Sequence, residues 1–253
     1  MPTKRKTGEK MLRGIPVSQG VSRSRVVVLD RTRIDPAKWG ILESDPAGEE
    51  DRLQASLVET RRQILAVQER LREALGAKEA QIFDAHLLVL EDPMLIEEAT
   101  RFIREDLVTA EFALHEASEK YAEALGKVDD SYLSERAADI RDVAQRVLAD
   151  LMGQALCTGL ADLTEPCVVV AHDLTPSDTA MMDPAMVLGF ATEVGSRTSH
   201  TAILARSLRI PAVLGLGEAI SELHTGESVL LDGFNGFVVI DPSEQTLFEY
   251  GQL

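Results

Sequence analysis

The chain has 253 residues, 45% of them hydrophobic, with a mean hydropathy of −0.03; this is globular composition, long enough for one large core or two moderate ones. A net charge of −16 and a pI near 4.7 exclude electrostatic binding of nucleic acid, and no apolar run reaches the roughly 18–20 residues of a membrane span. Cys157 and Cys167 lack C-x-x-C spacing, so neither a disulfide framework nor a zinc site is expected, in keeping with a reducing, cytoplasmic setting.

Residues 1–12 carry Lys4, Arg5, Lys6 and Lys10 without an apolar stretch, which excludes a secretory signal and predicts a flexible leader. Val26-Val-Val-Leu29 reads as a strand. From 46 to 152 the pattern is helical. Leu53, Leu57, Ile64, Leu65, Leu71 and Leu75 recur at helical spacing up to a stop at Gly76. Further helices are predicted over 79–90, 94–105, 109–125 and 132–152, with Pro93 dividing the first two of these. Strands return at Cys167-Val-Val-Val-Ala171, Val187–Thr192, Ser228–Asp232 and Phe237–Ile240, and Asn235-Gly236 marks a hairpin between the last two. Short helices are expected near 177–182, 199–208 and 218–223. A lone strand near Val26 needs a sheet to join. The expected architecture is therefore one discontinuous α/β domain, 13–45 with 153–242, interrupted by an all-α bundle at 46–152. Residues 243–253 begin a linker helix.

Five histidines are present, and none falls in an H-x-x-x-H or H-E-x-x-H pattern, so no metal site is expected. His200 stands apart through its context, Gly195-Ser-Arg-Thr-Ser-His200-Thr-Ala-Ile-Leu-Ala-Arg-Ser207. Gly195 allows a tight strand-to-helix turn, Thr198 or Ser199 can cap the helix, and Arg197 sets a fixed cation beside the ring. Unpaired amides and the macrodipole at a helix N-terminus disfavour an imidazolium but favour an attached anion. A neutral imidazole with one nitrogen held as N–H can attack phosphorus through the other. A serine-hydrolase reading of Ser199-His200 fails, since adjacent helical side chains diverge and no G-x-S-x-G elbow exists.

The stretch Gly195–Gly215 resembles the phosphohistidine signature shared by Enzyme I of the bacterial sugar phosphotransferase system, pyruvate phosphate dikinase and phosphoenolpyruvate synthase. Gly14–Gly20, Phe83–Asp92, Tyr132–Asp142 and Asp173–Thr179 resemble Enzyme I alone. The resemblance implies an α/β phosphohistidine (swivelling) domain with an inserted all-α helical bundle that docks the phosphocarrier protein HPr. His200 would take a phosphoryl group originating from phosphoenolpyruvate on Nε2 and pass it to a histidine of HPr. Thr179 matches a threonine that orients the ring, with Arg197 and Ser199 beside it. Glu79, Asp84, His86, Val89, Asp92 and Arg136 match HPr-docking positions. No cofactor is implied for this chain, and magnesium belongs to the C-terminal phosphoenolpyruvate-binding domain of the intact enzyme. Two positions depart from the family pattern: Gly195-Ser196 replaces two glycines, and Pro93-Met94 replaces a pair that is often acidic. A nitrogen-regulatory paralogue, the swivelling domain of a dikinase or synthase, and a non-catalytic module with a structural His200 are the competing readings.

Overall fold

The computed structural model describes residues 8–29, 34–127, 130–154, 160 and 163–251, and they divide into two compact units. One comprises 8–29 with 160–251, the other 34–154. Residues 1–7, Cys157 and residues 252–253 lie outside the described residues.

Eight strands among the described residues form one sheet: β1 (Lys10–Arg13), β2 (Ile15–Ser18), β3 (Val21–Leu29), β4 (Cys167–Ala171), β5 (Val187–Thr192), β6 (Ala212–Leu214), β7 (Ser228–Asp232) and β8 (Phe237–Ile240). Their order is β1-β8-β7-β3-β4-β5-β6-β2, with β3 to β6 parallel and the flanking pairs antiparallel. The central strand β4 is buried along its whole length, as its unbroken β-branched run requires. Alternate residues serve opposite faces. Val169 and Ala171 join Phe190, Leu214, Ala202 and Ala205 in one cluster, while Val168 and Val170 join Val26, Val213, Leu231 and Val238 in the other. Three short helices belong to this unit: α7 (Pro176–Ala180), α8 (His200–Leu208) and α9 (Glu244–Tyr250).

The expected leader is corrected at its end, because Lys10–Arg13 is an edge strand paired with Phe237–Ile240. Of its four side chains only Leu12 is buried, so no periodicity announces it. The hairpin at Asn235-Gly236 forms with Asp232 opposite Phe237, which makes its loop the four residues 233–236. Asp232 organises that loop by accepting from the amides of Phe234 (2.9 Å) and Asn235 (3.1 Å).

The second unit contains α1 (Pro46–Leu75), α2 (Ala77–Ala80), α3 (Ile82–Leu90), α4 (Pro93–Glu105), α5 (Ala110–Gly126) and α6 (Ser131–Leu151). Leu53, Leu57, Ile64 and Leu71 are the buried stripe of α1, which ends where Gly76 takes φ = 109°. The single helix expected over 79–90 is broken at Gln81 into α2 and α3. Its core is completed by Phe83, Ile103, Val108 and Leu148, all nearly inaccessible. Among the described residues no helix is long and apolar enough to cross a membrane.

The division differs from the predicted boundaries at both joins. Residues 34–45 belong with the helices: Ile34 exchanges hydrogen bonds with the Gln145 amide, and Ile41 N–H donates to Leu107 O (2.8 Å). Helix α9 belongs with the sheet. Glu9 accepts from the Ser243 amide at 2.6 Å, and Tyr250 donates its hydroxyl to Asp232 at 2.8 Å. Polar side-chain tethers of this kind leave no hydrophobic pattern to read.

Candidate functional site

The parallel order of β3 to β6 places the C-terminal ends of β4 and β5 together, the edge at which α/β sheets build their sites. The chain leaves β5 through Glu193-Val-Gly195 and enters α8 at His200. Gly195 has φ = 127°, and a Cβ there would lie 3.0 Å from the Leu214 side chain. Only glycine meets both conditions without displacing the neighbouring strand.

Ser199 is the N-cap of α8. Its Oγ accepts from Ala202 N–H at 3.3 Å and donates to Ser196 O at 3.0 Å, and its carbonyl accepts from Ile203 N–H at 3.1 Å. The predicted cap is therefore Ser199, not Thr198. These bonds fix the first turn, so His200 is held at its first residue with the ring half-exposed. On the far side Ala202, Leu204 and Ala205 are fully buried, which anchors the helix to the sheet. Thr201 adds a second tether through its hydroxyl, which donates to Leu174 O at 2.6 Å.

That tether leads to α7, which packs against α8. Thr175 and Asp178 form a capping box there: Thr175 Oγ1 accepts from Asp178 N–H, and Asp178 Oδ2 accepts from Thr175 N–H at 2.9 Å. Thr179 is completely buried on α7 and donates its hydroxyl to Thr175 O at 3.0 Å. With its proton so committed, the Thr179 oxygen is left to act as an acceptor. His200, Thr179, Ser199 and Arg197 thus gather on two adjoining helices and the turn between sheet and α8. Arg197 is exposed, and its carbonyl accepts from Arg206 Nη1 at 3.2 Å. Arg206, also bonded to Val17 O at 3.3 Å, and Thr201 are supporting residues that sequence reasoning did not single out. A hydroxyl and a cation inside one short helix beside the histidine were the available signal.

The residues expected to dock a partner lie in the helical unit, and two of them, His86 and Val89, are not at the surface. His86 is 0% exposed, with Nε2 3.3 Å from Asp139 and its ring edge-on to Phe83 at 5.1 Å. Val89 is buried as well. Both occupy the inward face of α3 and are unavailable for contact; their helical spacing of three is a core spacing. Asp92 is exposed but caps α4, accepting from Met94 N–H at 2.9 Å. Asp84 is exposed and accepts from Gln68 Nε2 at 2.7 Å. Glu79 and Arg136 are half-buried. The outward residues of this stretch include Leu88, 63% exposed, which had not been singled out, and Met94, 62% exposed, which had been noted only as a departure from the family pattern.

Two family models match the chain: the N-terminal domain of the PEP-utilising enzymes over residues 13–136 and their mobile domain over 163–236. Among curated proteins, the phosphoenolpyruvate-protein phosphotransferase of Enterococcus faecalis is 40% identical over 242 residues, covering 95% of this chain and 42% of the relative. That of Bacillus subtilis is 41% identical over 239 residues, 94% of this chain and 41% of the relative. The chain thus spans about two fifths of the length of these relatives. Among solved structures, the solution structure of an Enzyme I (nEIt) protein superposes with a TM-score of 0.73 at 41% identity, covering 95% of this chain and 97% of that one. The N-terminal domain of Enzyme 1 of the nitrogen type superposes with a TM-score of 0.62 at 28% identity, covering 95% and 98%.

Proposed function

Because the chain belongs to the phosphoenolpyruvate-protein phosphotransferase (Enzyme I) family, as its N-terminal domain, we propose that His200 carries a phosphoryl group and exchanges it with an HPr-type phosphocarrier protein. The observation that carries this reading is the placement of His200 on the first residue of a capped helix at the C-terminal edge of the parallel strands, inside the matched mobile domain.

Buried Thr179 supplies an acceptor for imidazole Nδ1–H, because its own proton is given to Thr175 O. That bond fixes the tautomer of the neutral ring, with the proton on Nδ1 and the Nε2 lone pair facing phosphorus. In the exchange, the Nε2–P bond forms as the P–N bond to the carrier's histidine breaks, and the departing nitrogen takes the electron pair. Nδ1 keeps its proton throughout. Arg197 and the first-turn amides of α8 offset the charge on the phosphoryl oxygens. The helical unit receives the carrier through exposed residues such as Asp84, Leu88, Glu91 and Met94, whose mix of carboxylates and apolar side chains suits a basic, partly apolar partner. The phosphoryl group originates from phosphoenolpyruvate at a C-terminal domain of the intact enzyme, in the cytoplasm, ahead of sugar transport. The higher identity to the Enzyme I structure, 41% against 28%, favours this branch over the nitrogen-regulatory one.

The test is transfer of radiolabel from phosphorylated HPr. The expected product is acid-labile, base-stable label on wild type and none on His200→Ala. Absence of label on wild type with a cognate carrier would refute the reading. For Thr179→Ala we expect a folded protein whose imidazole titration, read by NMR, is displaced from that of wild type. An unchanged curve removes the role given to Thr179.

A further inference from the structure

The α/β unit holds a cavity of about 570 Å3 that shares Arg197 with the proposed phosphotransfer site but leaves out the His200 ring. Its walls include Val17, Arg197, Arg206, Arg209, Gly233 and Phe234. Three arginines line it in a chain with 42 acidic and 26 basic residues. Among the described residues none of the three is paired with a carboxylate; Arg206 Nη1 donates only to the carbonyls of Val17 (3.3 Å) and Arg197 (3.2 Å). Cations at a helix C-terminus commonly serve its last carbonyls. Arg206 does not, since both of its acceptors lie away from the end of α8. Arg209 takes a left-handed backbone (φ = 57°), unfavourable for a side-chain-bearing residue, at the C-cap of that helix.

The opposite wall is apolar. Gly233 lies so close to Ser18 that a Cβ would overlap the Ser18 carbonyl, and this approach brings the β7–β8 loop against β2. Phe234, 53% exposed, stands at the cavity on that loop. Like charges gathered without counter-ions repel unless an anion joins them, and guanidinium forks match phosphate oxygens in a way that ammonium groups do not. An aromatic face beside the cations adds a stacking platform.

We propose that this cavity binds an organic phosphate with a planar ring, of the nucleoside monophosphate class, with the phosphate on the arginines and the ring against Phe234. The cavity volume falls within the range of small-molecule sites. The site shares Arg197 with the phosphotransfer reading but does not include the His200 imidazole, so its test is read on Arg209 and Phe234.

Calorimetric titration of the protein with AMP, inorganic phosphate and adenosine tests the proposal. AMP is expected to bind more tightly than phosphate, adenosine not at all, and binding should weaken as salt rises. Arg209→Gln should weaken AMP about tenfold or more, as the loss of a charged hydrogen bond implies. Phe234→Ala should weaken AMP while leaving phosphate unchanged. His200→Ala should bind AMP as wild type does, so that failure of the site and failure of the phosphotransfer reading remain distinguishable. Absence of AMP binding at millimolar concentration, or binding unaffected by both Arg209→Gln and Phe234→Ala in folded protein, overturns it. So does a loss in Arg209→Gln confined to affinity for a protein partner, which would make the cavity a protein contact instead.

Discussion

In the α/β unit, the residues singled out from sequence lie in two short segments, 175–179 and 195–200; capping bonds fix each one, and the Thr201 hydroxyl on the Leu174 carbonyl ties the two together. In the helical unit they are spread over 79–92 and Arg136, and of Asp84, His86, Val89 and Asp92 three are turned inward or occupied as caps. The contrast is one of how function is encoded. A group that reacts must be held in one geometry, so its neighbours are glycines, caps and buried hydroxyls that are recognisable as residue types. A surface that docks needs only exposure and complementary character, and a helix displays polar residues all round whether or not they touch a partner.

This contrast makes the variants fall into two classes. The largest stability effect is expected from the buried histidine of the helical unit. His86→Ala removes a fully buried ring packed on Phe83, with its hydrogen bond to Asp139, and should destabilise that unit, through the cavity left, by about 3 kcal/mol in urea unfolding. It should leave the NMR environment of His200 unchanged; a wild-type midpoint would return His86 to the list of surface candidates. Next comes Gly195→Val, which combines an unfavourable φ with a contact on Leu214 and should cost about 2 kcal/mol along with the label on His200. Full labelling in that variant would show the turn to be adaptable, which the comparison denies. Leu88→Asp should leave the melting temperature where it is and lower exchange with the carrier by about tenfold, the loss of one apolar anchor at an interface. Equal exchange rates would move the docking surface elsewhere.

The smallest effect is expected at α9. Burial, then the bond to Asp232, pushes the Tyr250 phenol up to about 12. Between the ordinary tyrosine value of about 10 and that raised value, the folded chain keeps a proton the unfolded chain has lost. This contribution to stability is therefore present below about pH 10 and fades as pH rises towards 12. Burial pushes the Asp232 carboxyl up as well, but its hydrogen bonds from Asn235 and Tyr250 outweigh it and hold the carboxyl low, so its contribution is lost on acidification instead. Tyr250→Phe should cost about 1 kcal/mol at neutral pH and flatten the alkaline slope in thermal melts. An alkaline slope equal to that of wild type would exclude this bond as its source.

Much of the architecture was legible because apolar periodicity carried it. The β-branched runs at 167–171, 187–192, 228–232 and 237–240 became strands at the predicted positions, and Gly76 and Pro93 ended and began helices as their backbones dictate. The edges were not legible. β1 has one buried residue, β2 carries Pro16 and an irregular register, and β6 is three residues inside the signature segment, so none offers an alternation long enough to read. At the site, His200 and its cap were visible as a local motif, and the mobile-domain match falls on the same residues. The inward turn of His86 and Val89 was invisible because the family resemblance marks a segment, whereas the helix phase decides which of its side chains face out. Arg206 and Arg209 went unremarked because basic residues at a helix end have an ordinary explanation until their hydrogen bonds are seen.

The parallel pairing of β3 with β4, Arg25 beside Cys167 through Leu29 beside Ala171, has a topological consequence. The chain leaves β3 at one end of the sheet and must enter β4 at the other, so some segment has to run back along the strands' whole length. Everything between Leu29 and Cys167, the helical unit included, serves as that return path. A minimal phosphotransfer protein therefore cannot be made by closing the gap with a tight turn. It would need a crossover of at least about a dozen residues, the length that any parallel connection demands. With that replacement the helical unit becomes, in engineering terms, an exchangeable cassette within an ordinary strand connection.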